Sequence, residues 1–363
     1  MPKAGSTALQ TALADARNQL ARHGILYPRG PLISRTHNFI MAGLEERKDQ
    51  LPRLLRNAYD GRMDEIEPAF ETWMADLRSR IASRRPDTLI LSSEWLFRLR
   101  GESRFDRLSA LLRGLGDSIE VIAYVRRPSE QYLSSAQQIL KGSHVIKPVA
   151  PIRYRGPIEG FARIADRVHV VKYDRAAFPG GDIVRHFIDG FVPEAAAVAT
   201  SGGETAAVNS TISAEGMAIL AGYRRANHRR RRNRFTADTD RLLRAIRAAD
   251  EAVGGNVRPR LLDAVRDEID LASDDLLWLR DVHGIVFDGV DYDRIVAPGL
   301  PLREAKRRPK TVGEICAIDA ERYEKVLMRT MHALASAPPP GRSPGVLAAL
   351  SLWRGGRKAA ARR

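Results

Sequence analysis

The chain has 363 residues, of which 44% are hydrophobic, so it can bury a sizeable core in one large domain or two. It contains no apolar run long enough to cross a membrane or to act as a secretory leader, and its single cysteine, Cys316, excludes an internal disulfide; we therefore expect a cytoplasmic protein. The formal net charge of +15 predicts that nucleic acid, anionic lipid, acidic glycan and phosphorylated ligands are attracted to its surface.

The start of the chain combines a lysine, small residues and two hydroxyls in the order Pro2-Lys3-Ala4-Gly5-Ser6-Thr7. Helical spacing of apolar residues follows and predicts a helix over 8–23 that Gly24 ends. A helix N-terminus attracts anions through its unpaired N–H groups and its dipole. Gly5 would let the backbone approach the anion, Ser6 and Thr7 would donate hydroxyls, and Lys3 would add charge. The turn therefore predicts a phosphate site; an ordinary helix start capped by Ser6 is the alternative.

A second turn of this kind is predicted after residue 125. The apolar run 119–125 is typical of a strand and leads into Arg126-Arg127-Pro128, after which helical spacing resumes. Arg126 at the end of the strand and Ser134 in the helix are suited to hold one anion, through a bidentate guanidinium and a hydroxyl. A solvated turn is the alternative for this segment by itself. Two such turns in one α/β chain favour anion binding for both.

The two turns resemble the motifs of the sulfotransferase family in order and spacing. The segment 2–10 resembles the family's P-K-T-G-T-T-x-L-Q loop, and the segment 126–134 resembles its R-x-P-x-x-x-x-x-S motif. The resemblance implies that Lys3 and residues 4–7 bind the 5′-phosphosulfate of 3′-phosphoadenosine 5′-phosphosulfate (PAPS), and that Arg126 and Ser134 bind its 3′-phosphate. It also implies a three-layer α/β fold like that of P-loop nucleotide triphosphatases, with helices flanking a central parallel sheet.

Weaker similarities to bacterial members of the family extend over about two thirds of the chain; they are Tyr27-Pro28, Thr36-His37-Asn38, Leu91-Ser92-Ser93-Glu94, Val171-Lys172-Tyr173-Asp174 and Asn209-Ser210-Thr211-Ile212-Ser213. The chain departs from the family by having Ala4 in the loop and Gln131 where many members have an arginine. The family's loop also follows a buried strand for which this chain has no room before Pro2. We expect the complete protein to carry that strand upstream, and without it the donor site would be incomplete.

The pattern of the chain predicts one sulfotransferase core over 1–200, a helical continuation of the same domain over 201–335 and a flexible basic tail over 336–363. Strands are predicted at 88–92, 119–125 and 167–173. Helices are predicted within 31–85, after residue 182, over 213–232 and 238–252, and within 311–335. The first strand of the sheet is predicted to be missing.

Two residues are candidates for the base that takes the acceptor's proton. Glu94 follows the strand 88–92, at the edge where open α/β sheets bind ligands. The alternative role for Glu94 is to favour the start of the next helix. His37 precedes a predicted helix and is the second candidate, with a structural histidine as its alternative.

Basic residues form three blocks, within 224–234, within 306–310 and over 354–363, and each is interpreted as a solvated loop or tail. Nucleic acid is disfavoured as a partner because only Phe235 lies near the first block. The apolar and arginine-rich tail offers peripheral contact with an anionic membrane as an alternative to disorder. The loop 142–156, which contains Lys147, is predicted to be a lid or to face the acceptor.

The sequence thus predicts a sulfotransferase that moves a sulfuryl group from PAPS to a hydroxyl or amine, on a glycan, a lipid-linked sugar or a small molecule. The spacing of His and Cys residues predicts no metal site. Lys3 would stabilise the leaving oxygen, and Glu94 or His37 would take the proton. The alternative function is a non-catalytic basic protein that binds nucleic acid or an acidic glycan and has a degenerate donor site.

Overall fold

The computed structural model describes residues 4–45, 47–198, 211–231, 234–255, 257–295 and 307–336. The fold is mixed α/β and 58% helical, with small parallel sheets. The predicted α/β class with parallel strands is confirmed at this level. Because the strands are short, the helices supply most of the surfaces that pack into the core.

Fourteen α-helices lie in the described part of the chain. They are α1 (Ser6–Asp15), α2 (Arg17–Arg22), α3 (Met41–Leu44), α4 (Arg53–Ala58), α5 (Ile66–Arg84), α6 (Glu102–Arg113), α7 (Pro128–Leu140), α8 (Arg155–Ala162), α9 (Ile183–Phe191), α10 (Ala214–Asn227), α11 (Ala237–Ala252), α12 (Asp263–Asp270), α13 (Asp275–His283) and α14 (Ala320–Ser336). None of these helices combines the length and the apolar composition that a membrane crossing requires.

The predicted helix over 8–23 is wrong in its continuity, because α1 and α2 are separate helices. Ala16 lies between them with ψ near 3°, outside helical geometry. Arg17, the next residue, donates hydrogen bonds from its guanidinium to the carbonyls of Ala14 and Tyr27. The predicted stop is confirmed, since Gly24 has φ of +71° directly after the last turn.

The strands form two parallel pairs within the described residues. In one pair β1 (Ile25–Leu26) lies beside β2 (Thr88–Leu89), and in the other β3 (Glu120–Val125) lies beside β4 (Arg167–Lys172). The strands at 119–125 and 167–173 are confirmed, whereas the strand predicted over 88–92 is only two residues long. The sequence analysis missed β1, which is too short to show an alternating pattern.

The pairing of β3 with β4 determines where the second turn lies. Both strands contain β-branched residues, and α7 and α8 form the crossover that a parallel pair requires. Val125 pairs with Lys172, so the chain leaves both strands at the same edge. Arg126 and Tyr173 therefore follow side by side.

The core consists of several clusters of buried side chains. One cluster joins α7 with α10, α11 and α14, through buried residues that include Tyr132, Leu220 and Val326. Another joins α1 with α9, β1 and β3, through Leu13, Tyr27 and others. The helical segment after residue 211 thus shares a core with α7, whereas the division at residues 200 and 201 stays a prediction.

Candidate functional site

The first predicted turn has a left-handed glycine directly before α1. Gly5 caps α1 with φ of +75°, in the left-handed region. A Cβ on Gly5 would lie 2.5 Å from Cδ1 of Ile183 and 2.7 Å from Cε2 of Tyr173, so a larger residue would displace both side chains. The first N–H groups of α1 have no partner within the helix. The turn therefore requires glycine at position 5, and the neighbouring Ala4 is buried.

The candidate base Glu94 lies beside this turn. Ser6 donates a long hydrogen bond of 3.4 Å from its hydroxyl to Oε2 of Glu94. One turn later, the amide of Gln10 donates to the hydroxyl of Ser92 over 3.1 Å. The structure thus brings together two segments that are 88 positions apart in sequence. Ser6 is predicted to bind the sulfuryl donor and Glu94 to take the proton of the sulfuryl acceptor, and these two roles require such proximity.

His37, the other candidate base, is completely buried. Its Nδ1 accepts a hydrogen bond from the N–H of Ser92 at 2.7 Å, so the ring's proton is on Nε2, which donates to the carbonyl of Pro28 at 2.9 Å. Burial lowers the pKa of His37 to about 4, which keeps the ring neutral. Both nitrogens are thus engaged with the backbone, and His37 positions Ser92, two residues before Glu94.

The second predicted turn places Arg126 and Arg127 in different surroundings. Arg126 donates from Nε to Glu130 at 2.8 Å, and its guanidinium carbon lies 5.6 Å from the centre of the Tyr173 ring. The Tyr154 hydroxyl donates to the carbonyl of Arg126 at 2.6 Å. Arg126 therefore lies against the edge where β3 and β4 end.

Tyr173 connects the two turns. Its ring edge is within van der Waals reach of Gly5, and the guanidinium of Arg126 lies over the ring. The structure thus brings the first and second turns to one site, which sequence spacing alone could not establish. Ser134 is half-buried on α7, four positions after Glu130 and so on the helix face that Arg126 approaches.

Arg127 has a structural role that the sequence analysis missed. Its Nε donates to Asp270 at 2.8 Å, and its two terminal nitrogens donate to the carbonyls of Asp288 and Gly289. Asp270 also accepts from the N–H and the hydroxyl of Ser129, at 2.8 Å each. Asp270 caps α7 from 141 positions away in the sequence, and no local signal could have revealed it.

The first basic block is organised by a buried arginine. Arg224 is 0% exposed and donates to the carbonyls of Gly142, Arg231 and Arg234 and to the hydroxyl of Thr239. Its neighbours Arg229, Arg230, Arg231 and Arg234 are exposed. Within the described residues, the block is thus an exposed basic surface whose backbone is held in place by hydrogen bonds from the buried Arg224.

Several predicted features lie outside the described residues. They are the catalytic Lys3, the start of the loop at Pro2, the similarity at Asn209 and Ser210, and the basic tail after Ser336. Within the described ranges, no three His, Cys, Asp or Glu side chains form a group that could hold a metal ion. Comparisons of the chain with protein-family models, with curated proteins and with solved structures each found no match.

Proposed function

We propose that the protein is a sulfotransferase that transfers a sulfuryl group from PAPS to a hydroxyl or amine acceptor. The observation that carries this proposal is the meeting of two turns at Tyr173, whose ring lies close to both Gly5 and Arg126. A donor with phosphate groups at both ends of one ribose needs two anion sites at close range. The three-layer sulfotransferase fold and the strand before Pro2 belong to this proposal.

In the proposed donor site, the N–H groups of residues 5–7 and the amine of Lys3 hold the 5′-phosphosulfate. Arg126 and Ser134 hold the 3′-phosphate. Arg126 is at present paired with Glu130, whose side chain is 52% exposed, and such a pair is worth little in water. A phosphate could therefore replace Glu130 at small cost and gain a bidentate contact.

We assign the base to Glu94 because its carboxylate lies beside the first turn, whereas both nitrogens of His37 are engaged. The acceptor oxygen attacks sulfur while the bond from sulfur to the bridging oxygen breaks. Glu94 takes the acceptor's proton, and Lys3 stabilises the charge on the departing 3′,5′-bisphosphate. The reaction resembles phosphoryl transfer in needing positioning and positive charge rather than covalent catalysis.

The test is calorimetric binding of adenosine 3′,5′-bisphosphate and of AMP to the full chain. We expect the bisphosphate to bind more tightly than AMP. Arg126→Ala should lower the ratio of the two affinities by at least about tenfold, since a charged hydrogen-bond pair is lost. The matched control is Arg80→Ala, because Arg80 forms a similar i,i+4 pair with Asp76 on α5. Equal binding of the two nucleotides by the parent chain would contradict the proposal.

Catalysis is tested by sulfuryl transfer from PAPS to a panel of a glycan, a lipid-linked sugar and a phenol. Lys3→Ala should lower the rate by about 10²-fold or more, as loss of one charge-stabilising donor does. Glu94→Gln should lower the rate by a similar factor without changing affinity for the bisphosphate. A Glu94→Gln enzyme of normal rate would remove Glu94 from its assigned role.

The second candidate function is a non-catalytic binder of polyanions, which the exposed arginines around Arg224 favour. That function predicts heparin binding that falls steeply with salt and is indifferent to Lys3 and Arg126. The same two variants therefore separate it from the sulfotransferase proposal.

A further inference from the structure

Lys147 lies in the loop between α7 and α8. Its side chain is half-buried, and its ammonium lies 5.4 Å from the centre of the Tyr132 ring on α7. The Tyr132 hydroxyl donates to the carbonyl of Lys147 at 2.7 Å, so backbone and side chain are held by the same tyrosine. Within the described residues, no carboxylate lies within ion-pair distance of this ammonium.

A half-buried ammonium without a counter-ion is unfavourable. Burial and the nearby charge of Arg98 together lower the pKa of Lys147 to about 8. The contact with Tyr132 offsets part of the cost, because an aromatic face attracts a cation, but it supplies no negative charge. A bound anion would compensate this charge.

Arg98 is the second cation at this position. It ends the short helix Leu96–Arg98, four positions after Glu94, and its side chain is exposed. Arg98 forms no ion pair with any described residue. Phe97, the residue before Arg98, packs edge-on against Tyr154, whose hydroxyl donates to the carbonyl of Arg126, so this segment lies next to the second turn.

An acidic group near Arg100, Asp275, is engaged by backbone groups. Asp275 accepts hydrogen bonds from the N–H groups of Tyr154 and Arg155 and thereby caps α8. Arg100, two residues after Arg98, donates to the carbonyls of Phe97 and Leu99 and has Arg153 as a further cationic neighbour. The described surroundings therefore supply positive charge but no free carboxylate.

We propose that Lys147 and Arg98 form a subsite for an acidic group, a carboxylate or a sulfate ester, on the acceptor. This inference rests on the proposed sulfotransferase function and specifies the acceptor class. Binding the acid would compensate both cations and would hold the rest of the acceptor between α7 and Glu94, so that a neighbouring hydroxyl reaches the base. A neutral acceptor of the same shape would leave Lys147 uncompensated.

The test uses two disaccharides of the same linkage, one ending in a uronic acid and one in the matching neutral hexose. Their affinities are measured by calorimetry on the full chain saturated with adenosine 3′,5′-bisphosphate. We expect the parent chain to bind the acidic sugar about tenfold more tightly, as one charged hydrogen bond allows. Lys147→Met should abolish that preference, and Arg98→Met should reduce it, without changing affinity for the neutral sugar.

Two measurements make the outcome specific. Lys325→Met is the matched control, because Lys325 is an exposed lysine paired with Glu321 on α14, and it should retain the preference. Affinity for the bisphosphate should be unchanged in Lys147→Met; if that affinity falls instead, the subsite serves the donor and the inference is overturned. Thermal unfolding of each variant reports whether it is folded.

The inference is also overturned if the parent chain binds both sugars equally or binds neither, or if Lys147→Met keeps the preference. Failure of the proposed function has a different signature. In that case the parent chain does not bind the bisphosphate, and the preference for the acidic sugar is then measured without it. A preference that depends on Lys147 would leave the acid subsite standing on a protein that is not a sulfotransferase.

Discussion

Arg127 and a second set of cations differ in how their positive charge is balanced. Arg127 contacts Asp270, and we call this contact the α7–α12 junction. The other set, which we call the proposed ligand-binding cations, consists of Arg126, Lys147 and Arg98. At the junction, one carboxylate accepts from Arg127 and twice from Ser129, and it is buried. Among the proposed ligand-binding cations, Arg126 pairs with the exposed Glu130, whereas Lys147 and Arg98 form no ion pair with any described residue.

This difference separates structural charges from binding charges. A buried pair with all its hydrogen bonds made cannot accept a ligand without losing them, and breaking it costs several kcal/mol. Arg322 shows the same structural pattern, since it contacts Asp250 and Glu215 between α10, α11 and α14. Half-exposed cations with a weak partner or none can bind an anion at little cost. Adjacent arginines in one turn thus differ in how their charge is balanced, and we propose a binding role for Arg126 alone.

The largest effect is expected for Asp270→Asn at the junction. The substitution leaves the half-buried guanidinium of Arg127 beside a neutral amide, and loss of one partner of a largely buried pair costs about 3–5 kcal/mol in free energy of unfolding. The measurement is urea unfolding at pH 7. Affinity for the bisphosphate should change little in the folded variant, because Asp270 does not contact Arg126.

The control for this prediction is Asp76→Asn, which breaks the exposed pair with Arg80. Exposed pairs contribute about 0–1 kcal/mol, so this variant should unfold almost like the parent. Similar losses in the two variants would mean that the junction is no more structural than a surface pair.

His37 should make the protein sensitive to acid. Burial lowers the pKa of His37 to about 4 in the folded protein, from the ordinary value of 6.5. Between these values the unfolded chain binds a proton that the folded chain does not, so stability falls as the pH falls from about 6.5 to 4, by about 2–3 kcal/mol. The measurement is the free energy of unfolding at pH 7, 5.5 and 4.5.

His37→Gln should weaken this pH dependence, although it also lowers stability at pH 7 by disturbing the bonds to Pro28 and Ser92. His23→Gln is the control, because His23 is exposed at the end of α2. If the acid dependence is unchanged in His37→Gln, His37 takes up a proton as readily in the folded as in the unfolded chain. His37 would then again be a candidate for the base.

A smaller effect of the same sign, at higher pH, is expected for Lys147. Its pKa of about 8 lies below the ordinary 10.5 because of burial and the charge of Arg98. Between pH 8 and 10.5 the unfolded chain holds more protons, so stability rises with pH, and we expect Lys147 to contribute about 1–2 kcal/mol after allowance for its exposure. The difference between the parent and Lys147→Met, measured by urea unfolding at pH 7.5 and 9.5, isolates this contribution.

A bound acid should raise the pKa of Lys147 and reduce this dependence, which links the measurement to the proposed subsite. If the parent and Lys147→Met show the same pH dependence, Lys147 is solvated and belongs with the ordinary surface cations.

Part of the fold and site could be predicted from local pattern. The strands β3 and β4, the start of α7 at Pro128 and the end of α2 at Gly24 follow from residues within a few positions of each element. The break at Ala16 and the two-residue β1 could not be predicted, because hydrogen bonds from Arg17 and pairing with β2 determine them.

The sequence by itself determined the composition of the site: a glycine turn at a helix start, an arginine at a strand end and a carboxylate after another strand. These depend on residue type and spacing, which act locally. Only the tertiary structure decided that Ser6 meets Glu94, that Tyr173 joins the two turns and that Asp270 engages Arg127 rather than Arg126. The physical reason is that each contact joins segments far apart in the chain, and only packing determines which distant group balances a given charge.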